Sequence, residues 1–139
     1  MKTNKLSLAV ALLLAVVILA SCTANEVTGV WADATYKEDT ALGEGAVALT
    51  VEVTAEDKTV VFTVKTDKTT VGEALMDNGL VEGENGAYGL YVKVVNGILA
   101  DYDVDGSYWA FYIDGEYAMT GIDSTEIVEG AVYKLERTR

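Results

Sequence analysis

An α+β fold is predicted: a mainly antiparallel sheet with one short helix, in a single domain. Three observations predict it. From Ala46 onward, apolar and polar residues alternate over most of the chain, which is the period of half-buried strands. One segment, Thr70 to Gly79, breaks that period and carries helix start and stop signals. The pairs Asn96-Gly97 and Asp114-Gly115 fall between alternating runs, where tight hairpins need residues that tolerate positive φ.

The elements follow in order. Val47, Leu49, Val51 and Val53 mark a first long strand, and Val60, Phe62 and Val64 a second, with Glu56-Asp57-Lys58 turning between them. Thr70-Val71-Gly72-Glu73 matches a capping box. Val71, Ala74, Leu75 and Asn78 then fall at helical spacing, and Gly79 suits the position after the helix. A helix of about two turns is too short to be stable alone, so its apolar face must pack on the sheet. A Gly-rich turn is expected from Glu82 to Gly86. Beyond it, Leu90, Val92 and Val94 share one strand face, with Tyr91, Lys93 and Val95 on the other. Asn96-Gly97 leads into Ile98 to Ala100. In the strand from Ser107 to Ile113, Trp109, Phe111 and Ile113 point one way, and Tyr108, Ala110 and Tyr112 the other. Glu116 to Met119 and Ala131 to Glu136 complete the set. Strand, strand, helix, then further strands is an order for which a β-grasp-like domain is the nearest architecture.

The N-terminus reads as a targeting segment. Lys2 and Lys5 precede an apolar run from Leu6 to Ala20, too short for a comfortable membrane span, and Leu19-Ala20-Ser21-Cys22 closes it. The pattern aliphatic, small, small, Cys resembles the bacterial lipobox. That resemblance implies removal of residues 1–21, lipidation of Cys22, and a protein anchored by lipid on the extracytoplasmic face of the cell membrane. An ordinary signal peptide or an uncleaved anchor is the plainer alternative. Residues 22–44 are then the anchor and a tether, part of which docks on the domain through Trp31, and residues 45–139 the domain.

Composition narrows function. The mature chain would have 118 residues, enough for one modest core, and eight basic against 22 acidic residues, a net charge of −14. Such a surface repels phosphate backbones and gains nothing from anionic lipid, so no nucleic-acid partner is expected and membrane attachment rests on Cys22 alone. There is no histidine, which removes Ser-His-Asp and Cys-His catalysis and every His-containing zinc site. Cys22 is the one cysteine, and Ser107 and Ser124 are the only serines after the leader. The expectation is a protein that is not an enzyme.

Two clusters are candidates for a site. Of 12 aromatic residues, eight lie between Tyr88 and Tyr117. A core accounts for Trp109 and Phe111. Tyr108 and Tyr112 project from the opposite face, with Tyr91 on the equivalent side of the preceding strand. Tyrosines there offer broad rings with polar tips, suited to a flat ligand or a protein partner, unless another element covers them. The second cluster, Asp101-Tyr102-Asp103-Val104-Asp105-Gly106, spells D-x-D-x-D-G, the opening of a calcium loop. Its closing acid would fall at Tyr112, and the flanks read as strands. A calcium site at Asp101, Asp103 and Asp105 therefore stands beside the simpler reading of a solvated turn.

The C-terminal half also carries a family resemblance. Gly89-Leu90-Tyr91-Val92-Lys93-Val94-Val95-Asn96-Gly97, Ser107-Tyr108-Trp109-Ala110-Phe111-Tyr112-Ile113-Asp114-Gly115, Gly121-Ile122 and Glu129-Gly130-Ala131 resemble the transcobalamin-like C-terminal domain, known in bacterial lipoproteins as DUF4430. The resemblance spans Val60 to Glu136, and Tyr108-Trp109 is its sharpest point. It implies a ligand surface made by Tyr91, Tyr108, Trp109, Tyr112, Tyr117, Gly121 and Ile122. The ligand it implies is cobalamin, another corrinoid or another large flat molecule, captured for an importer. In the vitamin carriers a helical domain holds the rest of the corrin ring. That domain is missing here, so a transporter, a second binding domain or a second copy would have to complete the clamp. With no histidine, any corrinoid contact would run through the ring's edges and substituents. A cell-surface protein-interaction or structural module is the alternative function.

Overall fold

The computed structural model describes residues 26–139; the leader and Cys22 lie outside the described residues. Alternation builds the centre of the fold. β1 spans Thr40–Gly43, β2 Val47–Ala55 and β3 Lys58–Thr66. β2 and β3 form an antiparallel hairpin in which Val51 faces Phe62 and Val53 faces Val60. Helix α1, Val71–Asp77, follows with the expected capping box: Thr70 Oγ1 accepts the Glu73 N–H, and the Glu73 carboxylate accepts the Thr70 N–H. Val71, Ala74 and Leu75 are fully buried, which satisfies the demand that so short a helix pack on a sheet.

The chain then runs through β4 (Val81–Gly86), β5 (Gly89–Val95), β6 (Ile98–Leu99), helix α2 (Tyr102–Asp105), β7 (Tyr108–Ile113), β8 (Glu116–Tyr117) and β9 (Val132–Thr138). Six strands form one sheet in the order β1-β3-β2-β9-β7-β8, and β4-β5-β6 form a second. Five of the seven strand pairs are antiparallel. The parallel pairs are β1 with β3 and β2 with β9. The last strand thus returns to the sheet's centre beside the first strand of the hairpin, as the β-grasp-like reading requires. One face of this sheet holds the core, where Leu49, Val51, Val53, Phe62, Tyr133 and Leu135 are buried with residues of α1 and the smaller sheet. Phe111 stacks on Tyr133 with ring centroids 6.1 Å apart.

Three expectations need correction. The segment Glu82 to Gly86 is strand β4, not a turn; the turn is Ala87-Tyr88. Its glycines misled because Gly83 sits at a register shift, where a Cβ would run into the Tyr91 carbonyl of the partner strand. The domain also begins before residue 45. A 3-10 turn at Gly29–Asp33 buries Trp31, whose indole N–H donates to the Ala55 carbonyl at 2.8 Å, and β1 is an edge strand of the main sheet. The expected tether is correspondingly shorter. Finally, D-x-D-x-D-G does not form a metal loop. Asp101 caps α2 by accepting the Asp103 N–H at 3.0 Å. Asp105 turns to Arg137 and Arg139, at 3.0 and 3.4 Å. Among the described residues, no group of three or more carboxylate, Cys or His side chains is placed to hold a metal ion.

Candidate functional site: an aromatic groove

The groove lies where β5 meets β7. Leu90, Tyr91 and Val92 come from β5, and Tyr108, Trp109 and Phe111 from β7. The connection after β8 adds Met119, Gly121 and Ile122, and its far rim is Tyr88 and Tyr117. The space is open and about 500 Å³ in volume. Local chemistry fixes its walls. The Trp109 indole N–H donates to the Lys93 carbonyl at 3.1 Å, tying β7 to β5. A second 3-10 turn, Ile122–Ser124, presents Asp123 to the start of β5, where its Oδ2 accepts the Leu90 N–H at 3.2 Å. Gly89 makes that approach feasible. Its φ is +102°, and a Cβ there would stand 2.8 Å from Asp123 Oδ2.

Six of the seven expected ligand residues line this groove: Tyr91, Tyr108, Trp109, Tyr117, Gly121 and Ile122. Two of these are walls rather than free contacts, since Trp109 is 8% and Ile122 2% exposed. Tyr112 does not line it. Its ring sits edge-on to Tyr117, with centroids 5.6 Å apart, and the Lys134 ammonium lies 4.6 Å from its centre. Both Tyr108 and Tyr112 project from the outer face of β7, as alternation requires. Only Tyr108, at the strand's first position, also borders β5. The rim residues Tyr88 and Met119, 103% and 95% exposed, were not anticipated. Tyr88 belonged to the aromatic segment, but nothing in the local pattern distinguishes a turn residue over a groove from one in open solvent.

A second cleft of about 580 Å³ adjoins the first and shares Tyr91 and Tyr108 with it. Its other lining residues are Glu84, Lys93, Asp101, Tyr102 and Asp103. The Lys93 ammonium stands 3.3 Å from Glu84, whose hydrogen bond and charge hold its pKa above the ordinary lysine value. Asp105 is outside the cleft. The Ser107 hydroxyl and N–H, with help from Arg137, bring its pKa down to about 2.

The described chain is therefore a one-domain α+β protein with a tyrosine-rimmed groove at one end of its main sheet. It belongs to the DUF4430 family: the model of that domain of unknown function matches residues 68–132. A presumptive metal-binding protein from Ruminococcus gnavus ATCC 29149 is 33% identical in sequence. The match covers 68% of this chain and 98% of that one, with a TM-score of 0.63. Haptocorrin, in a crystal structure with Cbi (cobinamide), matches at 17% identity over 66% of this chain and 25% of its own length, with a TM-score of 0.52. That second likeness is one of fold, and it agrees with the transcobalamin-like resemblance. No curated protein matches the chain.

Proposed function

We propose that this protein is a lipid-anchored, extracytoplasmic binding module that captures a corrinoid or another large flat molecule for uptake. The observation that carries the reading is the groove. Tyr88, Tyr91, Tyr117 and Met119 are large apolar side chains exposed together around a concave space, which a soluble domain rarely leaves uncovered without a use. The fold shared with haptocorrin supports the choice of ligand, and the lipobox-like segment supports the location. The groove is open, so one face of a flat ligand would stay in water until a transporter component or a second binding domain covered it. In this reading the protein carries out no chemistry. The metal binding attributed to the Ruminococcus gnavus protein is not adopted, because Asp105 is paired with Arg137 and, among the described residues, no group of three or more carboxylate, Cys or His side chains is placed to hold a metal ion.

The exposed rim also supports a second reading, a surface module that docks a protein partner with no small-molecule ligand. Calorimetric titration with cobalamin and cobinamide separates the two. Saturable heat at micromolar ligand is the expected result; no heat with either compound would leave the protein-docking reading in front. Location has its own test. Cys22→Ala should abolish labelling by a fatty-acid analogue and release the protein from the membrane fraction, whereas retained labelling would remove the anchor.

A further inference from the structure

The cleft beside the groove has a chemistry that the groove lacks. Tyr91, Tyr102 and Tyr108 wall it, and Glu84, Asp101 and Asp103 stand among them. Among the described residues, Lys93 is the one basic residue in the lining, and Glu84 takes it at 3.3 Å. Asp101 acts on Lys93 only at longer range. Three carboxylates thus face one ammonium, and neither Asp101 nor Asp103 forms a salt bridge among the described residues. The acids do not gather around a point, so a compact metal ion that needs six or more oxygen ligands is not served. Dispersed negative charge between tyrosine rings suits a bulky cation instead. Ring faces attract positive charge, and the carboxylates add a field of the same sense.

We propose that this basin binds an organic cation, such as a quaternary ammonium, guanidinium or protonated amine, on the ligand whose flat part occupies the groove. Tyr91 and Tyr108 are the wall common to both spaces. The inference rests on the reading that this end of the domain is a ligand surface, and it adds the charge of the ligand's second part.

The test uses the full-length protein in uncharged detergent micelles and three probes with the same ring: phenyltrimethylammonium, benzyl alcohol and benzenesulfonate. Cobinamide serves as the flat probe. Phenyltrimethylammonium should bind saturably, about fivefold or more tighter than the neutral and anionic rings. The double variant Asp101→Asn, Asp103→Asn keeps a competent cap at the start of α2 and should lose that preference while holding cobinamide unchanged. Tyr102→Leu should weaken the cation alone. Equal binding of the three ring probes, or a preference that survives the double variant, would overturn the inference. Cobinamide binding with no ring probe bound overturns it too, and leaves the groove reading intact. Cation binding without cobinamide supports the basin and removes the corrinoid. If no probe binds, both readings fall.

Discussion

Asp105 shows how far a single residue's role departs from its motif. In D-x-D-x-D-G it reads as a ligand, yet its carboxylate is spent on Ser107, Arg137 and Arg139. This pins the end of α2 and the start of β7 to the last strand. Its pKa is lowered from 3.8 to about 2, chiefly by the Ser107 hydroxyl and N–H. A depressed carboxyl pKa contributes stability that is present above the unfolded value and fades as pH falls through the folded one. Asp105→Asn should therefore melt below the parent at pH 7, and the gap should close between about pH 4 and pH 2. Melting curves across that range check it, and a gap independent of pH would contradict the role. The tyrosines of β7 give the second residue-scale prediction. Tyr108→Ala should weaken ligand capture, because Tyr108 borders both clefts. Tyr112→Ala should leave capture unchanged and lose only the packing against Tyr117 and Lys134. Sequence alternation placed both on one face correctly. It could not show that Tyr108 borders β5 while Tyr112 does not, because that neighbourhood is made with residues such as Tyr91, well separated from both in the chain.

At the scale of elements, most of the fold was legible. The capping box of α1, the β2–β3 hairpin and the turns at Asn96-Gly97 and Asp114-Gly115 are local signals, and each appears where expected. β4 was not legible. Its glycines and acids lack apolar alternation, and the segment is held as a strand by pairing with β5. The N-terminal segment was only half legible. Trp31 announced that something docks, but the docking partner, the carbonyl of Ala55, lies 24 residues on. That contact yields an element-scale prediction. Trp31→Ala should cost about 3–5 kcal/mol of unfolding free energy, since a buried indole and its hydrogen bond are lost. Urea unfolding measures it, and a loss under about 1 kcal/mol would mean that the segment is a tether after all.

For the whole molecule, the organisation is a division of labour between the two sheets. The six-stranded sheet carries most of the core on one face, and its outer face bears half-buried polar residues such as Glu52 and Lys134. The smaller sheet packs across β7 and leaves the aromatic groove at the junction. Composition narrowed the expected class of function, since no histidine and one cysteine remove most catalytic sets. The groove itself was legible only as a density of aromatic residues, because its volume exists only once β5, β7 and the Met119–Ile122 connection meet. This junction is the proposed ligand site. Chemical-shift mapping with cobinamide tests it most directly. Perturbations should cluster on Tyr88, Tyr91, Tyr108, Trp109 and Met119, with Tyr112 and Lys134 unmoved. Perturbations on the Tyr112 face, or none at saturating cobinamide, would contradict it.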